Sequence, residues 1–128
     1  MTMSFLPHGN LELKVENNIL ILDLKNSFNK EGVKLVHSKV QSLIDEKHYD
    51  KWNLIIFLGK NTLLTMEAIE DTIDFFLWCQ NNQCEKVAYV SISSIQEDTA
   101  NLILENISLK KGFFKNYENA KDWINSSN

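Results

Sequence analysis

The run Trp52-Asn53-Leu54-Ile55-Ile56-Phe57-Leu58-Gly59 constrains the fold more than any other stretch of this chain. It is the longest apolar segment, it lies mid-chain, and segments of helical periodicity flank it on both sides. A short run with no polar alternation marks a strand buried on both faces. It is expected to be the central strand of a sheet, with the remaining elements wrapped around it.

Upstream, Leu11, Leu13 and Val15 alternate with Glu12, Lys14 and Glu16, the period of two that marks a half-buried strand. Asn17-Asn18 suits a tight hairpin turn, so Ile19 to Leu24 becomes a second strand antiparallel to the first. Asn26-Ser27-Phe28-Asn29 supplies a turn and an N-cap. The helix after it carries Val33, Val36, Val40, Leu43 and Ile44 on one stripe, with His37 at the stripe's edge.

Gly59-Lys60-Asn61-Thr62 ends the central strand and leads into a second helix, roughly Thr65 to Gln80. Its apolar face holds Met66, Ile69, Ile73, Phe76 and Leu77. Ala68, Phe75 and Cys79 widen that face beyond what one packing surface needs. Glu67, Glu70, Asp71 and Asp74 crowd the opposite side, and Trp78 falls among them by helical angle. Lys86 to Ile92 reads as a fourth strand. Ser94-Ile95-Gln96-Glu97 has the Ser-x-x-Glu form of a capping box, and the helix after it aligns Ala100, Ile103, Leu104 and Ile107. Lys110-Lys111-Gly112 reads as a turn and Phe113-Phe114 as a short last strand. Asn116 caps a final helix that buries Ala120, Trp123 and Ile124. The order β-β-α-β-α-β-α-β-α predicts an α/β fold with a mixed, mostly parallel sheet of about five strands and four helices.

At 128 residues the chain, 1–128, reads as a single domain, with 1–10 as an N-terminal tail. A chain of this length buries roughly two-thirds of its unfolded surface and needs no staple. Cys79 and Cys84 are too few for a disulfide framework and lack neighbouring histidines for zinc, so they read as reduced thiols of a cytoplasmic protein. A net charge of −4 argues against nucleic-acid binding, which needs basic surface. No apolar run reaches the ~18 residues of a membrane helix. The start, Met1-Thr2-Met3-Ser4-Phe5-Leu6-Pro7, lacks the basic and apolar regions of a signal peptide.

The closing segment Phe114-Lys115-Asn116-Tyr117-Glu118-Asn119-Ala120-Lys121-Asp122-Trp123-Ile124 reads Phe-x3-Glu-x-Ala-x2-Trp-Ile. It resembles the end of the SpoIIAA-like (STAS-like) family, in which an aromatic strand leads into a short helix bearing Ala and Trp. Glu85-Lys86-Val87-Ala88-Tyr89-Val90 is similar to that family's fourth strand, and the opening hairpin fits the same plan. The resemblance implies a non-enzymatic regulatory or protein-interaction module. It also implies a fold similar to the lipid-binding CRAL-TRIO fold, which makes a small apolar ligand the alternative. One departure matters. STAS proteins that act as phosphorylation switches carry an Asp-Ser-Ser-Gly type sequence where this chain reads Gly59-Lys60-Asn61-Thr62-Leu63-Leu64-Thr65-Met66. A phosphorylated hydroxyl would have to be Thr62 or Thr65.

Two candidate sites follow from position. The loop Lys60, Asn61, Thr62 and Thr65 stands at the carboxyl end of the central strand, where open α/β sheets bind ligands. A helix N-terminus there favours an anion. The second is an interface built from Ala68, Phe75, Trp78 and Cys79 with the acidic face Glu67, Glu70, Asp71 and Asp74, facing a second copy or a regulatory partner. No catalytic set, metal site or cofactor motif stands out. An unrecognised enzyme would need a polar cleft, most plausibly around Asp23, Lys60 and Thr62.

Overall fold

The computed structural model describes residues 6–90 and 92–126, so the first half of the expected tail and Ser91 of the expected fourth strand lie outside the described residues. Nine elements follow in the predicted order: β1 Asn10–Glu16, β2 Ile19–Lys25, α1 Lys30–Lys47, β3 Trp52–Leu58, α2 Ala68–Asn81, β4 Cys84–Val90, α3 Ser94–Ile103, β5 Lys110–Phe114 and α4 Tyr117–Ile124. The five strands form one sheet in the order β1-β2-β3-β4-β5. β1 is antiparallel to β2, and all other pairs are parallel. β3 is central, and Trp52 through Ile56 are buried without exception.

A strictly sequential strand order has a physical consequence. Each parallel crossover is right-handed, so α1, α2 and α3 all fall on the same face of the sheet. The packing shows this. Leu20, Leu22, Leu54, Ile56 and Val87 pack with apolar residues of those three helices. Their alternating neighbours Ile19, Ile55, Ala88 and Val90 pack with Ala120 and Ile124 of α4 on the other face. One thick layer and one thin layer therefore cover the sheet.

Local chemistry sets the ends of these elements. Asn17 turns the β1–β2 hairpin at φ 55°. The Asn29 side chain caps α1 by accepting from the Gly32 N–H at 2.9 Å. The same amide accepts from the His8 N–H and donates to the Leu6 carbonyl, which holds residues 6–8 against the start of α1. A Cβ on Gly32 would sit 2.0 Å from the His8 carbonyl oxygen, so the close approach requires glycine.

Several boundaries differ from expectation: β4 starts at Cys84 rather than Lys86, and α3 ends at Ile103, before Leu104 and Ile107. α2 starts at Ala68 rather than Thr65, because Leu64 bridges to Phe28 and the Thr65 N–H donates to the Phe28 carbonyl, after which Met66 and Glu67 turn the chain into the helix. The capping box of α3 lies one residue earlier than expected, with Ser93 as the cap and Gln96 reaching back to it. β5 absorbs Lys110-Lys111-Gly112, since that stretch pairs with Lys86, Val87 and Ala88 of β4.

α4 is fastened at both ends. Lys86 is buried on β4, and its ammonium donates to the carbonyls of Trp123, Ile124 and Ser126 at 3.0 to 3.2 Å. Those carbonyls lie at a helix C-terminus, where free acceptors and the negative end of the dipole favour a cation. At the other end, Glu16 accepts from the Tyr117 hydroxyl and the Lys121 ammonium. Those two partners hold the Glu16 carboxyl below its ordinary pKa.

Candidate functional site

A cavity of about 310 Å³ opens between the sheet and the three-helix layer. Its floor is Leu22, Leu24, Ile56, Leu58 and Tyr89, near the carboxyl ends of β2, β3 and β4. α1 contributes Val33 and Val36, α2 contributes Ile69, Phe75 and Phe76, and α3 contributes Ala100 and Ile103. The volume stands at the lower end of the roughly 300–1,000 Å³ range of ligand sites. The position, beyond the carboxyl ends of parallel strands, is where open α/β sheets bind.

The β3–α2 connection roofs this cavity through Thr62, Leu63, Leu64 and Met66. It is held down by a specific set of bonds. The Phe28 N–H donates to the Leu63 carbonyl at 2.8 Å and the Thr65 N–H donates to the Phe28 carbonyl at 3.0 Å. Gln96 donates to the carbonyls of Gly59 and Thr62 at 2.9 and 2.8 Å. The Thr62 hydroxyl donates to the Leu24 carbonyl at 2.9 Å. Bonding of this kind satisfies the backbone of a loop that crosses apolar surface.

The loop residues singled out from the sequence divide around this roof. Lys60 and Asn61 are exposed, and neither lines the cavity. Thr62 is buried with its hydroxyl engaged, whereas Thr65 is exposed. Thr65 borders a second, open cleft of about 500 Å³ with His8, Gly9, Asn10, Asn26, Ser27 and Asn29. Asp23 is half-buried on β2, on the α4 side of the sheet, so it does not join Lys60 and Thr62 in a polar cleft.

The α2 residues also divide. Ala68, Phe75 and Cys79 are buried within this one chain, so the surplus width of the apolar face is taken up by α1, the sheet and the cavity. Glu67, Glu70 and Asp74 are exposed and Asp71 is half-buried. Trp78, placed among these acids by helical angle, is instead half-buried, its ring 5.3 Å from His37 and 6.0 Å from Trp52. The long α1 packs beside α2 and covers that sector.

Titration behaviour follows burial. Burial holds His37 below its ordinary pKa, opposed by the charge of Asp74, and its Nε2 is buried without a hydrogen-bond partner. Burial first, and then the neighbouring Cys84 thiol, raise Cys79 well above a reactive range, so the pair reads as core thiols. Burial also raises the Tyr89 phenol, which keeps it neutral and able to donate. Among the described residues there is no group of three metal-ligating side chains. The arrangement is suited to holding an apolar body, and among the described residues no nucleophile–base pair lines the cavity.

Tyr89 and Gln96 are the site residues that sequence reasoning did not single out. Tyr89 was the one phenol in its strand, and Gln96 was visible only as part of a cap. Nothing in the sequence set either of them beside Leu24 or Thr62.

This architecture is the SpoIIAA-like fold, a small α/β domain with one mixed sheet. The chain is similar to the crystal structure of an uncharacterised protein of the DUF3478 family from Shewanella loihica, described as having that fold. The TM-score is 0.67 and the identity 16%, over 96% of this chain and 98% of that one. No protein-family model matches the sequence. No curated protein matches it either. The likeness therefore rests on shape, and it agrees with the resemblance read from the C-terminal motif. Among the described residues no helix is long and apolar enough to cross a membrane.

Proposed function

We propose that this chain is a non-enzymatic SpoIIAA-like module that works by binding, and that its binding element is the apolar cavity beneath the β3–α2 loop. The observation that carries the reading is the cavity itself: about 310 Å³ of space left inside an otherwise packed helical layer, at the carboxyl ends of the parallel strands. Interiors of domains this small are ordinarily filled to near crystal density, so space of this size reflects a use. Its ligand is a small apolar molecule, and occupancy is the signal that the module carries or reports.

N-phenyl-1-naphthylamine, a neutral dye that fluoresces in apolar surroundings, tests this. Titrated into protein refolded from denaturant to strip retained molecules, it should give a saturable signal at one dye per chain. A linear response without saturation would sink the reading.

A second reading, contact with a second copy or a regulatory protein, is favoured by the exposed apolar residues at the cavity's roof. Leu63 is 52% and Met66 85% exposed, next to the acidic Glu67 and Glu70. An apolar side chain from a partner would meet them first. Native mass spectrometry decides it: a dimer that Met66→Lys converts to a monomer supports contact, and a monomer at all concentrations removes the homodimer.

A further inference from the structure

The polar groups facing the cavity define what it would hold. Thr72 donates its hydroxyl to the Ala68 carbonyl at 2.8 Å, and Thr99 donates to the Ile95 carbonyl at 3.1 Å. Thr62 donates to Leu24, and Gln96 directs its amide hydrogens to Gly59 and Thr62 while its oxygen accepts from the Ser93 N–H. Each of these donors is engaged by the protein.

Tyr89 differs. The residue is 5% exposed, lines the cavity and stacks its ring on Phe113 at 5.7 Å. Its hydroxyl bonds to no other described residue, and burial, with a smaller contribution from Cys79, raises its pKa. The only fully shut-in, unpartnered side-chain atom among the described residues is Nε2 of His37. The Tyr89 hydroxyl is therefore not fully shut in, and the residue that carries it lines the cavity. A buried hydroxyl without a partner is costly, and a ligand that accepts its hydrogen removes the cost.

Among the described residues no charged side chain lines the cavity. A carboxylate there would lose its hydration for a single neutral donor, which is unfavourable. We infer that the cavity selects a neutral apolar molecule bearing one hydrogen-bond-accepting oxygen, such as a ketone or ester, and that Tyr89 is the residue that orients it. This rests on the reading of the cavity as a ligand site, and it adds a head-group preference to it.

The test displaces bound N-phenyl-1-naphthylamine with nonane, 2-nonanone and nonanoate at pH 8, on wild-type protein and on Tyr89→Phe. This substitution removes one oxygen and keeps the stacked ring, and matched urea midpoints confirm that both forms are folded. 2-Nonanone should displace the dye from wild type at about three- to tenfold lower concentration than from Tyr89→Phe, the worth of one hydrogen bond. Nonane should compete equally with both forms, and nonanoate should be the weakest of the three. If the substitution leaves the ketone's competition unchanged, or if nonanoate competes best, the Tyr89 inference is overturned and the cavity reading stands. If the dye never binds, both fall.

Discussion

Ala100→Leu turns the cavity into a question of sign. Ala100 lies on α3, is 4% exposed and lines the cavity. Leucine adds three carbons. In a close-packed interior such an addition forces strain and destabilises by about 1–3 kcal/mol. In open apolar space each carbon contributes ~0.8 kcal/mol of burial, or ~2.4 kcal/mol for three. Ordering the leucine side chain costs ~0.5–1 kcal/mol, leaving a net stabilisation of about 1.5 kcal/mol. For a chain of this size that raises the melting midpoint by about 6 °C. Differential scanning calorimetry of ligand-free protein measures it, with urea unfolding as the second probe. The same variant should bind N-phenyl-1-naphthylamine more weakly, because the added carbons occupy the space. A midpoint that falls by several degrees would show that the interior is already full, and the binding reading would lose its basis.

Two further outcomes follow from other parts of the fold. Lys86→Met keeps the apolar stem but leaves the carbonyls of Trp123, Ile124 and Ser126 without their donor, so it should destabilise by about 2 kcal/mol in urea; an unchanged midpoint would mean that water replaces the ammonium without cost. His37 has a folded-state pKa depressed from its ordinary 6.5, so below that value the unfolded chain binds more protons and stability falls as pH drops through the window. His37→Phe should flatten the melting midpoint between pH 7 and pH 5, and identical slopes in variant and wild type would refute the assignment.

The protein-contact reading and the cavity reading were separable from the sequence only in part. The apolar surplus on α2, formed by Ala68, Phe75 and Cys79, has the same one-dimensional pattern whether it meets a second chain or a neighbouring helix. Helical angle likewise placed Trp78 on the acidic side, yet α1 covers that sector and the indole packs on His37. A helical wheel records direction around one axis and contains nothing about where the next helix lies.

What the sequence determined by itself was local or periodic. The buried run at β3, the alternation in β1, the stripe on α1 and the caps at Asn29 and Asn116 each follow from the side chains of a few consecutive residues. Their order then limits the sheet to right-handed parallel crossovers. The tertiary structure alone decided the rest. It assembled the cavity from three helices and three strands, and it engaged the donors of Thr62, Thr72, Gln96 and Thr99 while setting Tyr89 in the lining with no bond to another described residue. Volume left between elements, and the pairing of polar groups across it, depend on distances between residues far apart in the chain. Such distances exist only once the packing is complete.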